Sequence, residues 1–176
     1  GPSEDILTKV RFPGPGEPAD LFVPADDSYV RQARSLGLAA ESVPIARVRA
    51  VLLLARGNPE RIATWADLLR DGVTVAVPNP GAAVGKLARD HLVNTHRWVA
   101  LGPRVVDVGT VTEAANATKA GDRPAADAAI VWDAVAAGPA FRDQEVLAVP
   151  ELDGVERRVE VAVLNQSRDP AAARHF

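Results

Sequence analysis

The chain has 176 residues, a formal net charge of -3, 47% hydrophobic and 24% charged residues. That length suffices for one domain or two small lobes, and the composition is ordinary for a globular fold. The slightly acidic balance offers no basic face of the kind nucleic acid requires, and no apolar run is long enough to span a bilayer. The absence of cysteine excludes disulfides and thiolate metal sites and fits any compartment. With no methionine in the chain, the start Gly1-Pro2 reads as a scar of tag cleavage, so the lack of a signal peptide says nothing about localisation.

In chain order, Asp20 to Val23 reads as the first strand, stopped by Pro24. Residues 28–36 read as a helix ended by Gly37. Val43 to Ala55 is a long β-prone stretch closed by the turn Gly57-Asn58-Pro59. Thr64-Trp65-Ala66-Asp67 resembles a capping box opening a short helix to Arg70. Residues 73–77 form a short apolar strand, and Pro78-Asn79-Pro80-Gly81 a loop. Val84, Leu87, Ala88 and Leu92 fall at helical spacing, which predicts a helix from Ala83 to about Thr95. Residues 105–108 read as a strand. Thr110-Val111-Thr112-Glu113 is a capping-box sequence that opens a helix to about Ala120. Residues 127–132 read as a buried strand, 133–137 as a short helix, 145–149 and 155–164 as strands. Pro170 begins a last helix in the favoured first position, and residues 11–18 read as a loop. Strands alternating with helices predict an α/β fold with parallel-type sheets flanked by helices.

Three strand-to-helix junctions are candidates for an anion site: residues 80–85, 108–112 and 131–133. In parallel α/β sheets ligands sit at the carboxyl ends of strands. Helix starts there offer unpaired N–H groups and a positive dipole end, which hold anions without Lys or Arg. Small residues such as Gly81, Ala82, Ala83 and Gly85 would let a ligand approach the backbone. Every α/β domain has such junctions, however, and Gly and Thr in them commonly serve only turns and caps. Trp132 could line a pocket or fill the core. Asp133 reads as the cap of the helix that follows it, and Lys86 as a surface lysine.

Catalysis has little support. His91 and His96 are five residues apart, which does not place them on one helix face for a metal, and His175 stands alone. Asp26 and Asp27 form an acidic pair better suited to a helix start than to acid–base work. No nucleophile elbow, P-loop or dinucleotide fingerprint occurs. The chain is therefore expected not to be an enzyme and to need no cofactor or metal.

Several segments in order resemble the molybdate-binding proteins of ABC importers, a branch of the type II periplasmic solute-binding class. They are residues 19–26 (Ala-Asp-Leu-Phe-Val-Pro-Ala-Asp), 56–59 (Arg-Gly-Asn-Pro), 64–69 (Thr-Trp-Ala-Asp-Leu-Leu), 85–89 (Gly-Lys-Leu-Ala-Arg), 111–116 (Val-Thr-Glu-Ala-Ala-Asn) and 126–134 (Ala-Asp-Ala-Ala-Ile-Val-Trp-Asp-Ala). The resemblance implies a two-lobed fold with two hinge strands and the ligand held between lobes. The first lobe would be residues 1–50 plus 147–176, the second 51–146, with hinges near 46–52 and 149–159. It implies a periplasmic or extracytoplasmic location, a small tetrahedral oxyanion such as molybdate or tungstate, and an ABC transporter membrane subunit as partner. Ligand-binding groups would come from Ser3, Ala83, Val84, Gly85, Val111, Thr112 and Trp132, the last standing where the family often has tyrosine. The family's first βα unit and the end of its last helix have no counterpart, which predicts an incomplete first lobe and association through it. A sensing or interaction domain of the same fold, with a different or lost ligand, is the alternative.

Overall fold

The computed structural model describes residues 2–14, 19–25, 27–119 and 125–175, apart from the side chains of residues 2–4. In chain order the elements are α1 (Pro2–Arg11), β1 (Leu21–Phe22), α2 (Asp27–Ser35), β2 (Ala39–Leu54), β3 (Val75–Pro78), α3 (Ala83–Asn94), α4 (Trp98–Leu101), β4 (Val105–Val108), α5 (Val111–Ala117), β5 (Ala128–Trp132), α6 (Asp133–Ala136), β6 (Val146–Leu147), β7 (Glu156–Leu164) and α7 (Pro170–Ala173). They form two compact units, Gly1–Val48 with Arg157–Phe176, and Arg49–Glu156. The fold is the expected mixed α/β type, with helices flanking sheet strands.

In the first unit β7 lies between β1 and β2 in the sheet. It pairs antiparallel with β1, Leu21 opposite Val163 and Phe22 opposite Ala162. Leu7 and Val10 of α1, Phe22, Val30 and Ala33 of α2, Ala39, Ala162 and Leu164 make one buried cluster. α1 does not stand out in the sequence because only Leu7 and Val10 of its described side chains are buried, too few to show a period. Gly37 ends α2 as expected: its φ is +70°, and Gly37 N–H and Leu38 N–H donate to the carbonyls of Arg34 and Ala33. That left-handed stop suits glycine. The β-prone stretch begins earlier than expected, at Ala39, and its residues 43–47 are exposed, so β-propensity there does not signal burial. The acidic-pair residue Asp26, loop residues 15–18 and the expected helix end at Ala120 lie outside the described residues.

The tail is tied to the first unit through Asp20. Its Oδ1 accepts hydrogen bonds from Ser167 Oγ at 2.6 Å and from Arg168 N–H at 3.0 Å. The Ser167 hydroxyl, and then the backbone N–H of Arg168, hold the Asp20 carboxyl below its ordinary value.

In the second unit the strand order is β6-β2-β5-β3-β4. β3 pairs parallel with both β4 and β5, while β2 runs antiparallel to β5. Every residue of β3 and β5 is buried, as parallel strands covered on both faces should be. Val51, Leu53, Ala76, Ala129 and Val131 pack with Ala114 and Ala115 of α5 and Ala136 of α6. Leu52, Val75, Val77 and Ile130 alternate to the opposite face and are fully buried. α3, which contacts β3 and β5, supplies buried Val84, Ala88 and Leu92.

The segment Trp65–Leu69 is a 3-10 helix. Asp67 stands where a capping box usually has Glu. Its Oδ2 accepts from Ala63 N–H, Thr64 N–H and Thr64 Oγ1 at 2.8–3.0 Å. The backbone closes by bonds three residues apart, Asp67 to Thr64 and Arg70 to Asp67.

Candidate functional site

The second unit gathers all three candidate junctions on one edge. Because β3, β4 and β5 are parallel, their carboxyl ends, and the starts of α3, α5 and α6, lie on that side. Pro78 stands opposite Val108 at the ends of β3 and β4, and Asn79 N–H donates to Val108 O at 2.7 Å.

At the first junction, Asn79 shapes the loop. Its side-chain oxygen accepts Gly81 N–H at 2.9 Å, and its carbonyl accepts Ala82 N–H at 3.0 Å. The N-cap of α3 is Ala82, which has no acceptor side chain. Among the described residues no group accepts the N–H of Ala83, Val84 or Gly85. A helix normally recruits Ser, Thr, Asp or Asn for those donors. Here a helix of twelve residues leaves them open at its positive dipole end. Gly85 has a different reason from close ligand approach. A Cβ there would stand 2.1 Å from Pro78 O and 2.5 Å from Asn79 O, so Gly85 lets α3 pack directly on the turn before it. Lys86 points away from this business: its Nζ lies 2.7 Å from Asp90 Oδ2, and both side chains are more than half exposed.

At the second junction the N-terminus of α5 is served in part. Thr110 Oγ1 accepts Glu113 N–H at 3.1 Å, and Glu113 Oε2 accepts Gly109 N–H at 2.9 Å. The N–H groups of Val111 and Thr112 have no acceptor among the described residues. At the third, Trp132 is 8% exposed and is itself the N-cap residue of α6. The expectation that Asp133 caps this helix is corrected. It is the first helical residue, and its Oδ1 accepts Ala134 N–H at 2.8 Å and Arg49 N–H at 3.2 Å. Its Oδ2 lies 3.6 Å from Arg49 Nε. Ser3 lies in the first turn of α1, in the other unit, and its side chain is outside the described residues.

Thus Ala83, Val84, Gly85, Val111, Thr112 and Trp132 share one edge of the second unit, and Ser3 belongs to the first. Sequence reasoning passed over Asn79, Arg49 and the outward reach of Glu113. Asn-Pro-Gly is a signal for the first, whereas the other two depend on tertiary neighbours. Two larger hollows of the second unit lie at the opposite, amino-terminal edge of the parallel strands. One is about 460 Å³ and lined by Leu54, Asn58, Ile62 and Glu145. The other, about 420 Å³, lies by Thr74 and Arg104.

Parallel strands here end beneath helix N-termini that keep open N–H groups, with all three junctions on one edge of the second unit. The family model for bacterial extracellular solute-binding proteins matches residues 1–176, and the chain belongs to that family. It is 32% identical over 162 residues to the molybdate-binding protein ModA of Mycobacterium tuberculosis, covering 92% of this chain and 59% of that relative. The chain therefore spans about three fifths of the length of the curated relatives it matches. Among solved structures, it resembles a substrate-binding domain assigned to a molybdenum ABC transporter of Clostridium difficile. The TM-score is 0.77 at 19% identity, covering 99% of this chain and 74% of that one. The periplasmic molybdate-binding protein of Azotobacter vinelandii gives a TM-score of 0.67 at 20% identity, with 99% and 75% covered. These likenesses show the fold, and the family expected from the sequence is borne out.

Proposed function

We propose that this protein binds a small tetrahedral oxyanion, molybdate or tungstate, outside the cytoplasm and delivers it to the membrane subunits of an ABC importer, without catalysing a reaction. The observation that carries the reading is the α3 N-terminus. Ala at its N-cap leaves the N–H groups of Ala83, Val84 and Gly85 open, at the strand edge where α/β folds hold ligands. Neutral donors at a helix start fit an oxyanion because they match its charge without a competing proton. The name of the mycobacterial relative narrows the ligand. Val111, Thr112 and Trp132 would add contacts from the same edge, and Ser3 a hydroxyl. No helix among the described residues is long and apolar enough to cross a membrane. Among the described residues β1 has β7 as its single sheet neighbour, and a strand edge of that kind favours self-association.

Buried Trp132 and the Glu113 carboxylate at α5 favour a second reading, a sensing or interaction domain whose ligand differs or is lost. Thermal unfolding with molybdate, tungstate, sulfate or phosphate separates the two. An anion at a hundred times its Kd stabilises by about 2.7 kcal/mol, a rise in Tm of roughly 5–10 °C for a chain of this size. Such a rise with molybdate or tungstate alone is expected. No rise with any of the four sinks the transport reading in favour of the second.

A further inference from the structure

In the first unit, exposed apolar surface gathers on α1. Ile6 is 45% and Phe12 67% exposed, while Leu7 and Val10 of the same helix are buried. Phe12 continues the helix by one bond, its N–H donating to Thr8 O at 3.0 Å. At 3.6 residues per turn, Asp5, Ile6 and Phe12 fall within about 60° of the direction of Lys9, and all four are exposed. Beside this face lies a hollow of about 260 Å³ lined by Ile6, Lys9, Val10, Phe12, Pro13 and Ala19. Asp5 and Lys9 stand one helical turn apart, a spacing that suits an ion pair. At the same spacing Arg31 pairs with Asp27 at 2.6 Å and Lys86 with Asp90 at 2.7 Å. Among the described residues Asp5 and Lys9 have no ion pair, with each other or elsewhere.

We propose that the protein forms a twofold dimer through this face of α1, the partner being a second copy of the same chain. An interface about a twofold axis must be complementary to itself, and this face is. With two copies of α1 antiparallel and the axis level with Leu7, Asp5 of each copy comes opposite Lys9 of the other. Ile6 lies one residue from the axis, so the two isoleucines meet there, each beside the other copy's hollow. Phe12, about 7.5 Å along the helix from the axis, covers the first turn of the second helix. An apolar centre flanked by charges is the usual order of a protein interface. A net charge of -3 opposes association little. The ten residues of α1 span about 15 Å, so the dimer is of the weak, concentration-dependent class. It uses a surface other than the β1 edge and is independent of the oxyanion reading.

The test is sedimentation velocity of the wild-type protein from about 1 μM to about 1 mM. The weight-average mass should climb from the chain's 18.6 kDa toward twice that value. Ile6→Asp places two carboxylates at the axis and should leave monomer at every concentration. Asp5→Lys and Lys9→Asp each set like charges opposite one another and should raise the dimer's Kd about tenfold. Combining the two reversals restores opposite charges and should restore the dimer. About 0.5 M salt should shrink the effect of each single reversal. A wild type that stays monomeric throughout overturns the proposal. So does a dimer that survives Ile6→Asp, which would place the contact elsewhere, such as the β1 edge, and so does a double reversal as weak as the singles. If Ile6→Asp melts well below wild type, the charge reversals decide, since Asp5 and Lys9 are exposed and support no core. The anion-induced rise in Tm of the same variants reports the oxyanion reading separately, because none of the substituted residues belongs to the candidate edge.

Discussion

Replacing Gly85 by Ala separates packing from ligand approach as the reason for that glycine. The added Cβ would stand 2.1 Å from Pro78 O and 2.5 Å from Asn79 O. A carbon needs about 3.5 Å to a non-bonded neighbour, so α3 and the turn must part by roughly 1.4 Å. Both obstacles are backbone, which cannot swing aside as a side chain would. Overpacking of this kind costs about 3 kcal/mol at the upper end of its usual range. Alanine recovers about 1 kcal/mol of helix propensity. The net loss is about 2 kcal/mol, a fall in Tm of roughly 4–8 °C. Differential scanning calorimetry of the ligand-free protein measures it directly. A Tm unchanged, or raised by roughly 2–4 °C as propensity alone would give, would refute the packing argument. If that rise came with loss of the molybdate shift, Gly85 would be serving ligand approach instead.

Two further outcomes follow from side chains away from this edge. Gln144 Nε2 donates to Leu54 O, Thr118 O and Thr118 Oγ1 at 2.7–3.1 Å, and Thr118 is fully buried. Gln144→Ala should therefore cost about 1–3 kcal/mol by leaving buried acceptors unpaired, read as a drop in the urea midpoint; an unchanged midpoint would contradict it. Asp20, Glu41 and Asp67 have folded-state pKa values below their ordinary 3.8, 4.5 and 3.8, chiefly through hydrogen bonds from Ser167, Arg174 and Ala63. Depressed carboxyls contribute stability that is present above those ordinary values and is lost as pH falls through the folded ones. The Tm gap between wild type and Asp20→Asn should thus hold at neutral pH and close below pH 3.8. A gap independent of pH would remove the ionised Asp20 from the account.

Much of the architecture was legible because the signals are local. The strand at residues 105–108 and the helix start at Ala83 fall where apolar runs and the Pro-Gly loop place them. Gly37 stops α2 because a left-handed residue is needed there. What escaped depends on tertiary neighbours. α1 buries too few described side chains to betray a period. Gly85 looks like a ligand-approach glycine until Pro78 O is seen beneath it. Asp133 looks like a cap until Arg49, from a strand far away in sequence, takes its carboxylate. The capping box at residues 110–113 was correctly placed as a helix start, yet nothing local says that its glutamate reaches past the cap to Gly109. The candidate edge was legible as three junctions; which N–H groups in them stay open was not, because that depends on where each neighbouring carboxylate and hydroxyl turns.

The most direct test of the central claim is amide chemical-shift mapping as molybdate is titrated into the ¹⁵N-labelled protein. The account predicts that the N–H resonances of Ala83, Val84 and Gly85 move first and furthest, saturating together. Saturable shifts confined to the hollow lined by Leu54, Asn58 and Glu145, with Ala83 to Gly85 unmoved, would contradict it.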